Sequence, residues 1–393
     1  MKILMVHNYY REPGGEDVVF RQEKRLLERG GHEVVTYIRS NDEAVTSSAL
    51  DQLRLVKTII SADQTRREMD VILKAERPSL VHIHNTFMMI SPSIYETCVE
   101  ANIPTVQTVH NYRLLCPAAC LFRDGKVCEE CIDHGLMRSV QHACYRGSHA
   151  NTAAVAVMLK IHRLLGTWSS KVDAFIALTE FAKGKLVGSG FPSERIHVKP
   201  NFIEHDPGAK KGLGEYALFV GRLSSEKGIE TLLEAWQIGN LQIPLWIAGD
   251  GPMRAKLEAK VMRDGLRNVQ FLGRLSQVAI TDVMKGARFV VIPSLWYEGF
   301  PMVLAESFAC GVPVLGSKLG AMEEVIEDGE QGLHFTAGSA GDLAEKVTWA
   351  WSHAVDMATM GRACRHKYEK YYGPEANYAA LMKIYEGVAL FPI

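Results

Sequence analysis

The chain alternates between short apolar runs rich in β-branched residues and longer segments of helical periodicity, and this pattern begins twice. Before residue 200 the apolar runs are Lys2–His7, His32–Ile38, Leu80–His84, Pro104–Val109 and Asp173–Leu178. The helical segments between them lie near Asp17–Arg29, Gln64–Glu76, Pro92–Ala101, Asn151–Trp168 and Glu180–Val187. Short apolar runs bounded by turn residues read as buried strands, and strand–helix alternation calls for a parallel sheet covered on both faces. Lys199–Gly214, rich in Pro, Gly and charge, reads as an interdomain linker. The alternation then resumes with strands at Tyr216–Val220, Leu245–Ala248, Val269–Leu272, Phe289–Ile292 and Val314–Gly316. The helices expected between them are Gly228–Trp236, Met253–Asp264, Gln277–Gly286 and Pro301–Cys310. The expected class is therefore α/β, with two doubly wound domains at 1–200 and 201–373 and a C-terminal helix within 374–393. Ligands of such sheets bind at the carboxyl ends of the strands.

Composition narrows the function. Lys+Arg total 44 against 45 Asp+Glu, a net charge of -1, which disfavours bulk binding of nucleic acid. No apolar stretch is long enough for a transmembrane helix, and the first apolar run, Ile3–Val6, meets His7 and Asn8 at once rather than forming a signal peptide. A cytoplasmic protein is expected. Five of the eight cysteines fall between Cys116 and Cys144, within an irregular insert at 113–147. In a reducing compartment such a group favours metal over disulfides.

Five segments carry chemistry. In Pro293–Glu306 a strand ends, Glu298 and Gly299 follow, and a helix opens with Pro301 expected at its first position. The N–H groups of Phe300, Met302 and Val303 at that helix start suit a phosphate. Glu306, further in, is placed to accept ribose hydroxyls. In Gly221–Gly228, Arg222 and Lys227 follow the first strand of the second domain and can neutralise a diphosphate. No Asp-x-Asp pair occurs anywhere in the chain, so these two cations would replace a divalent ion. Pro13-Gly14-Gly15-Glu16 lets backbone approach a ligand at the first helix start, and Gly249-Asp250-Gly251-Pro252 is a further turn at a strand end. His110-Asn111 sits at the tip of a central strand.

Together, Gly14-Gly15, His110-Asn111, Gly221-Arg222…Glu226-Lys227-Gly228, Gly249-Asp250-Gly251-Pro252 and the Glu298/Glu306 pair at Glu-x7-Glu spacing resemble the family 4 retaining glycosyltransferases of the GT-B fold, nearly end to end. The subset it resembles most builds bacterial polysaccharides and carries a cysteine-rich insert. The resemblance implies two Rossmann-like domains facing across a cleft. The second holds a nucleotide diphosphate sugar and the first, an acceptor, saccharide or lipid-linked saccharide. It implies a hexosyltransferase-type activity (EC class 2.4) that retains configuration without a catalytic cofactor. Arg222 and Lys227 would stabilise the leaving diphosphate, Glu306 would bind the ribose, and Glu298 with Phe300, Met302 and Val303 would contact the sugar and phosphates. His110 would contact the donor sugar. Gly14, Gly15, Gly249 and Gly251 would line the nucleotide or acceptor. The C-terminal helix should cross back onto the first domain.

In the insert, Cys128-x2-Cys131 has zinc-ligand spacing, and Cys116 and Cys144 can complete a four-thiolate structural site; free or packed thiols and disulfides are the alternatives. The helix near Ala153–Trp168 mixes apolar and basic residues, so a core helix with one wet face competes with an interfacial one touching the inner membrane face. Rival functions are a GT-B-type nucleotide-sugar epimerase or sugar phosphorylase, and a non-catalytic α/β binding protein with a zinc-stabilised module.

Overall fold

The computed structural model describes residues 1–12, 14–44 and 48–390; Pro13 of the first glycine loop lies outside them. The chain divides into two compact units. The first comprises Met1–Leu121, Cys128–Pro200 and the chain from Pro374 onward; the second comprises Phe122–Val127 and Asn201–Gly373.

The first unit is built on six strands: β1 (Lys2–Tyr9), β2 (Glu33–Ser40), β3 (Leu80–Ile83), β4 (Thr105–Val109), and, after the short hairpin β5 (Phe122–Arg123) and β6 (Lys126–Val127), β7 (Ala174–Ala177) and β8 (Ile196–Val198). They pair in parallel in the order β2-β1-β3-β4-β7-β8. The chain thus winds outward to β2, returns past β1 and continues through β3, so its switch point lies between β1 and β3. The C-terminal helix Pro374–Leu390 belongs to this unit. Its Leu381, Ile384, Tyr385 and Val388 share a core with Ile3, Met5, Phe20, Val106 and Ile176.

The second unit has strands β9 (Tyr216–Val220), β10 (Leu245–Ala248), β11 (Val269–Gly273), β12 (Ala287–Ile292), β13 (Val314–Ser317) and β14 (Gly332–Phe335). Their order is β11-β10-β9-β12-β13-β14, parallel throughout, with the switch point between β9 and β12. This is the dinucleotide-binding winding, whose ligands sit beyond the carboxyl ends of the two switch strands. Leu232, Trp236, Leu245, Phe289 and Leu343 are among the residues of its core.

Several sequence expectations change. The edge strands β8 and β14 and the helix Ala49–Ile60 are additional. The stretch Asn151–Trp168 is two helices, His149–Leu164 and Thr167–Ser170, broken where Gly166 takes a left-handed φ of 65°. The first of them buries Val155, Met158, Leu159 and His162, as a core helix does. Among the described residues no helix is long and apolar enough to cross a membrane. The division between the units falls within the linker, after Pro200, but the start of that segment is not exposed: Lys199, Asn201, Phe202, Ile203 and Glu204 are all buried. The hairpin β5–β6, expected with the first domain, groups with the second unit.

Candidate active site

In the second unit the switch point brings together two of these five segments. Arg222 and Lys227 follow β9, and Ser294 to Glu298 follow β12. Gly228 holds a φ of 69°, and a Cβ there would lie 1.8 Å from the Pro293 carbonyl oxygen, so the two loops touch only because this residue is glycine. The Leu295 N–H donates to the Glu226 carbonyl at 2.8 Å and ties them further. Lys227 Nζ then reaches Glu298 Oε1 at 2.7 Å and lies 5.2 Å from the centre of the Trp296 ring. Ser294 Oγ donates to the same carboxylate oxygen at 2.6 Å. Glu298 is only 5% exposed. Burial alone would raise its pKa, but the Lys227 charge, with hydrogen bonds from Lys227 and Ser294, holds it below the usual carboxylate range. Sequence reading missed this pair because 71 residues separate its members.

The helix after this loop runs Met302–Ala309, with Pro301 as its N-cap rather than its first residue. Proline has no side-chain acceptor, and no side chain caps this helix start. The first-turn N–H groups of Met302 and Val303 have no intrahelical acceptor and suit an anion. The neighbouring Phe300 side chain is buried, 5.3 Å from the Tyr372 ring, and its carbonyl accepts from Asn201 Nδ2 at 3.1 Å. Glu306 is partly exposed, and Gln277 Nε2 donates to its Oε1 at 2.7 Å. Burial raises its pKa. Gly249 and Gly251 serve a structural contact: a Cβ on Gly249 would lie 1.9 Å from the Gly221 oxygen, and one on Gly251 would lie 2.6 Å from the Leu223 oxygen. Their close approach is to the Arg222 loop, which they hold in place.

In the first unit the carboxyl ends of β1, β3 and β4 carry a second cluster. Gly14 is the N-cap of the helix Gly15–Arg29, and its N–H donates to Asp17 Oδ2 at 2.9 Å. Asp17 Oδ1 lies 2.7 Å from His7 Nε2 on β1. Glu16 is held between two amides, Asn85 Nδ2 and Asn111 Nδ2, each at 3.1 Å. Burial, with Asp17 next to it, pushes the Glu16 carboxyl up to about 8. His110 follows β4, and its Nε2 lies 3.0 Å from His84 Nδ1. Sequence reading missed Glu16, Glu23, His84, Asn85 and Lys199. A signal existed in His82-x-His84, two polar residues at a spacing that puts both on one side of a buried strand.

Of the four cysteines expected to hold zinc, Cys116 and Cys131 meet directly, and Cys144 is close enough to Cys131 to act on its charge. Cys116 and Cys131 are buried and joined by a thiol–thiol hydrogen bond, which holds the Cys116 thiol below its ordinary value. After Cys128 the chain enters a helical turn, Glu130–Asp133, that turns Cys131 onto Cys116. Among the described residues, Glu23, His82 and His84 place three ligand atoms within 4.8 Å of one another.

Comparison with known proteins bears on both units. The model of Glycosyltransferase Family 4 matches residues 13–207, and that of Glycosyl transferases group 1 matches residues 202–367. An uncharacterized glycosyltransferase of Methanocaldococcus jannaschii is 25% identical over 399 residues, 94% of either chain. The D-rhamnosyltransferase WbpZ of Pseudomonas aeruginosa is 28% identical over 238 residues, 57% of this chain and 62% of its own. The amylovoran biosynthesis glycosyltransferase AmsK of Erwinia amylovora is 27% identical over 231 residues, 55% of this chain and 57% of its own. The chain spans about three-fifths of the length of several curated relatives it matches, 59% and 62% in two cases. Among solved structures, Anabaena HepE in complex with UDP superposes with a TM-score of 0.69 at 18% identity, covering 98% of this chain and all of that one. Sucrose-phosphate synthase of Thermosynechococcus elongatus gives 0.73 at 18% identity, covering 98% of both. With one family model following the other from residue 13 to residue 367, on two sheets of Rossmann type, the chain belongs to the GT-B glycosyltransferases that join a family 4 domain to a group 1 domain.

Proposed function

We propose that the protein is a retaining, metal-independent glycosyltransferase that moves a sugar from a nucleotide diphosphate sugar to a saccharide acceptor, lipid-linked, in the biosynthesis of a cell-surface polysaccharide. The observation that carries this reading is the Lys227–Glu298 pair at the switch point of the second sheet, directly ahead of an uncapped helix start. A fixed cation and free N–H groups at that place suit the charge that a departing diphosphate gains. The relatives support the substrate class: one is a rhamnosyltransferase, one serves amylovoran biosynthesis, and HepE was solved with UDP.

In this reading Arg222 and Lys227 stabilise the leaving group, and Glu306 takes the ribose hydroxyls. Glu298 sets the position of Lys227 and, with the N–H groups of Phe300, Met302 and Val303, meets the sugar and phosphates. The first unit binds the acceptor through the end of its sheet that carries Gly14 and Gly15, and its His110 contacts the donor sugar. The bond from the anomeric carbon to the diphosphate breaks with its electron pair on the diphosphate. The acceptor hydroxyl attacks the same face, and its proton passes to a diphosphate oxygen. Because attack comes from the face that the diphosphate leaves, configuration is retained without a protein nucleophile. The absence of an Asp-x-Asp pair supports cations of the chain, rather than a divalent ion, at the diphosphate. Lipid-linked acceptors place the work in the cytoplasm, at the inner membrane face.

A screen of UDP-, GDP- and ADP-sugars for nucleotide release, followed by NMR of the product's anomeric coupling, tests the reading. Release of nucleotide with an unchanged anomer is expected. No turnover of any donor, or an inverted product, overturns it.

A further inference from the structure

Beneath His110 runs a line of buried polar side chains that the proposed chemistry does not use. Lys199 Nζ lies 2.5 Å from Glu23 Oε1, with side-chain exposures of 1% and 0%. Lys199 also donates to Asn377 Oδ1 at 3.0 Å, in the C-terminal helix. Glu23 Oε2 lies 3.1 Å from His84 Nε2. His84 Nδ1 lies 3.0 Å from His110 Nε2, and their rings stack with centroids 5.2 Å apart. Beside this line His82 is held by Tyr385 Oη at 2.7 Å and by Thr108 Oγ1 at 2.8 Å.

Glu23, His82 and His84 resemble a metal site, but the Lys199 ammonium already supplies the counter-charge to Glu23, and Tyr385 occupies His82 Nδ1. A dication would have to displace both. The arrangement reads instead as a directional one. The 3.1 Å contact is bent away from hydrogen-bond alignment, but an ionised carboxylate is acceptor-only and its charge draws hydrogen onto the His84 nitrogen that faces it. In a neutral imidazole the other nitrogen then has a lone pair, and His84 Nδ1 can only accept. His110 must donate from Nε2, which leaves Nδ1 of His110 without hydrogen.

We propose that Glu23 and His84 are positioning residues that lock His110 in its Nε2–H tautomer, so that it offers the donor sugar an Nδ1 that can only accept a hydrogen bond from a hydroxyl. The part of this that concerns the sugar rests on the function proposed above. Burial keeps the line neutral where it must be: it pushes His84 down to about 3 and His110 well below its ordinary value. Glu23, against Lys199 and His84, is held well below the carboxylate range although burial opposes this.

The full chain, labelled with 15N-histidine and free of ligand at neutral pH, tests the lock by long-range 1H–15N correlation, with His110 assigned from H110Q. Wild type should show hydrogen on His110 Nε2 and a bare Nδ1. In Glu23→Gln, Lys199 claims the amide oxygen and turns the amide NH2 toward His84. Every donor and acceptor in the line then reverses, and His110 should carry its hydrogen on Nδ1. With whichever of the UDP-, GDP- or ADP-sugars wild type turns over, E23Q should lose about tenfold in kcat/KM, the worth of one neutral hydrogen bond, with UDP, GDP or ADP affinity unchanged. A wild-type His110 bearing hydrogen on Nδ1, or charged, overturns the proposal even if E23Q fails to fold. So does a folded E23Q whose His110 keeps its tautomer, or one that reverses without loss of transfer. If wild type turns over no donor, the enzyme reading falls and takes the sugar contact with it, whatever the spectra show.

Discussion

Replacing Lys227 with methionine probes the second unit most directly. The change keeps the length of the side chain and removes the charge from a pair whose side chains are 23% and 6% exposed. Glu298 is left with Ser294 as its hydrogen-bond donor, in a place where burial alone raises its pKa. Breaking one side of a buried pair costs about 3–5 kcal/mol, and the partial exposure of Lys227 points to the lower end, about 3. For a unit of this size that corresponds to a fall in Tm of roughly 6–12 °C. Scanning calorimetry of K227M, E298Q and the double variant measures it. Because the cost is that of an orphaned charge, the double variant should regain at least half of the loss. K227M alone should lower kcat about 10²-fold by removing leaving-group stabilisation. Additive losses of stability would refute the coupling read from the 2.7 Å contact. An unchanged kcat with a raised KM would mean that Lys227 binds only the ground state.

Three further outcomes are expected. Glu306→Ala should weaken the cognate nucleotide, measured calorimetrically, whereas Glu298→Ala should chiefly lower turnover; equal loss of nucleotide affinity in both removes the division of labour. Transfer should persist in a short assay with EDTA, and its immediate loss with recovery on added Mg²⁺ or Mn²⁺ would displace Arg222 and Lys227 from the diphosphate. Glu16 has its carboxyl raised from 4.5 to about 8, so the folded first unit binds a proton that the unfolded chain has released. Its contribution is complete below about pH 4.5 and is lost as pH rises through about 8. Chemical denaturation at pH 6 and pH 9 should show that loss in wild type and a smaller one in Glu16→Gln; an identical pH dependence in the two contradicts the assignment.

Sequence alone determined the strand–helix alternation, because an inner strand of a covered parallel sheet is apolar on both sides and needs nothing distant to be seen. Tyr216–Val220 and Leu245–Ala248 are read to the residue for that reason. The loops that follow such strands were equally legible, since Arg222, Lys227, Glu298 and His110 stand just past apolar runs. Tertiary structure decided the rest. The edge strands β8 and β14 escape the pattern: Ile196–Val198 is short and partly exposed, and Gly332–Phe335 opens on a glycine where a Cβ would meet the Val314 oxygen at 1.8 Å. Lys199 carries the charge of a linker residue, yet Glu23 on the first helix draws it into the core of the first unit. The Lys227–Glu298 and His84–His110 contacts exist because strand order places β9 beside β12 and β3 beside β4. Cys131 meets Cys116 across an irregular insert, a contact that the Cys-x2-Cys spacing does not show. Periodicity records which face of an element is buried; which charge or imidazole meets which is set by winding order, and that leaves no trace in the local sequence.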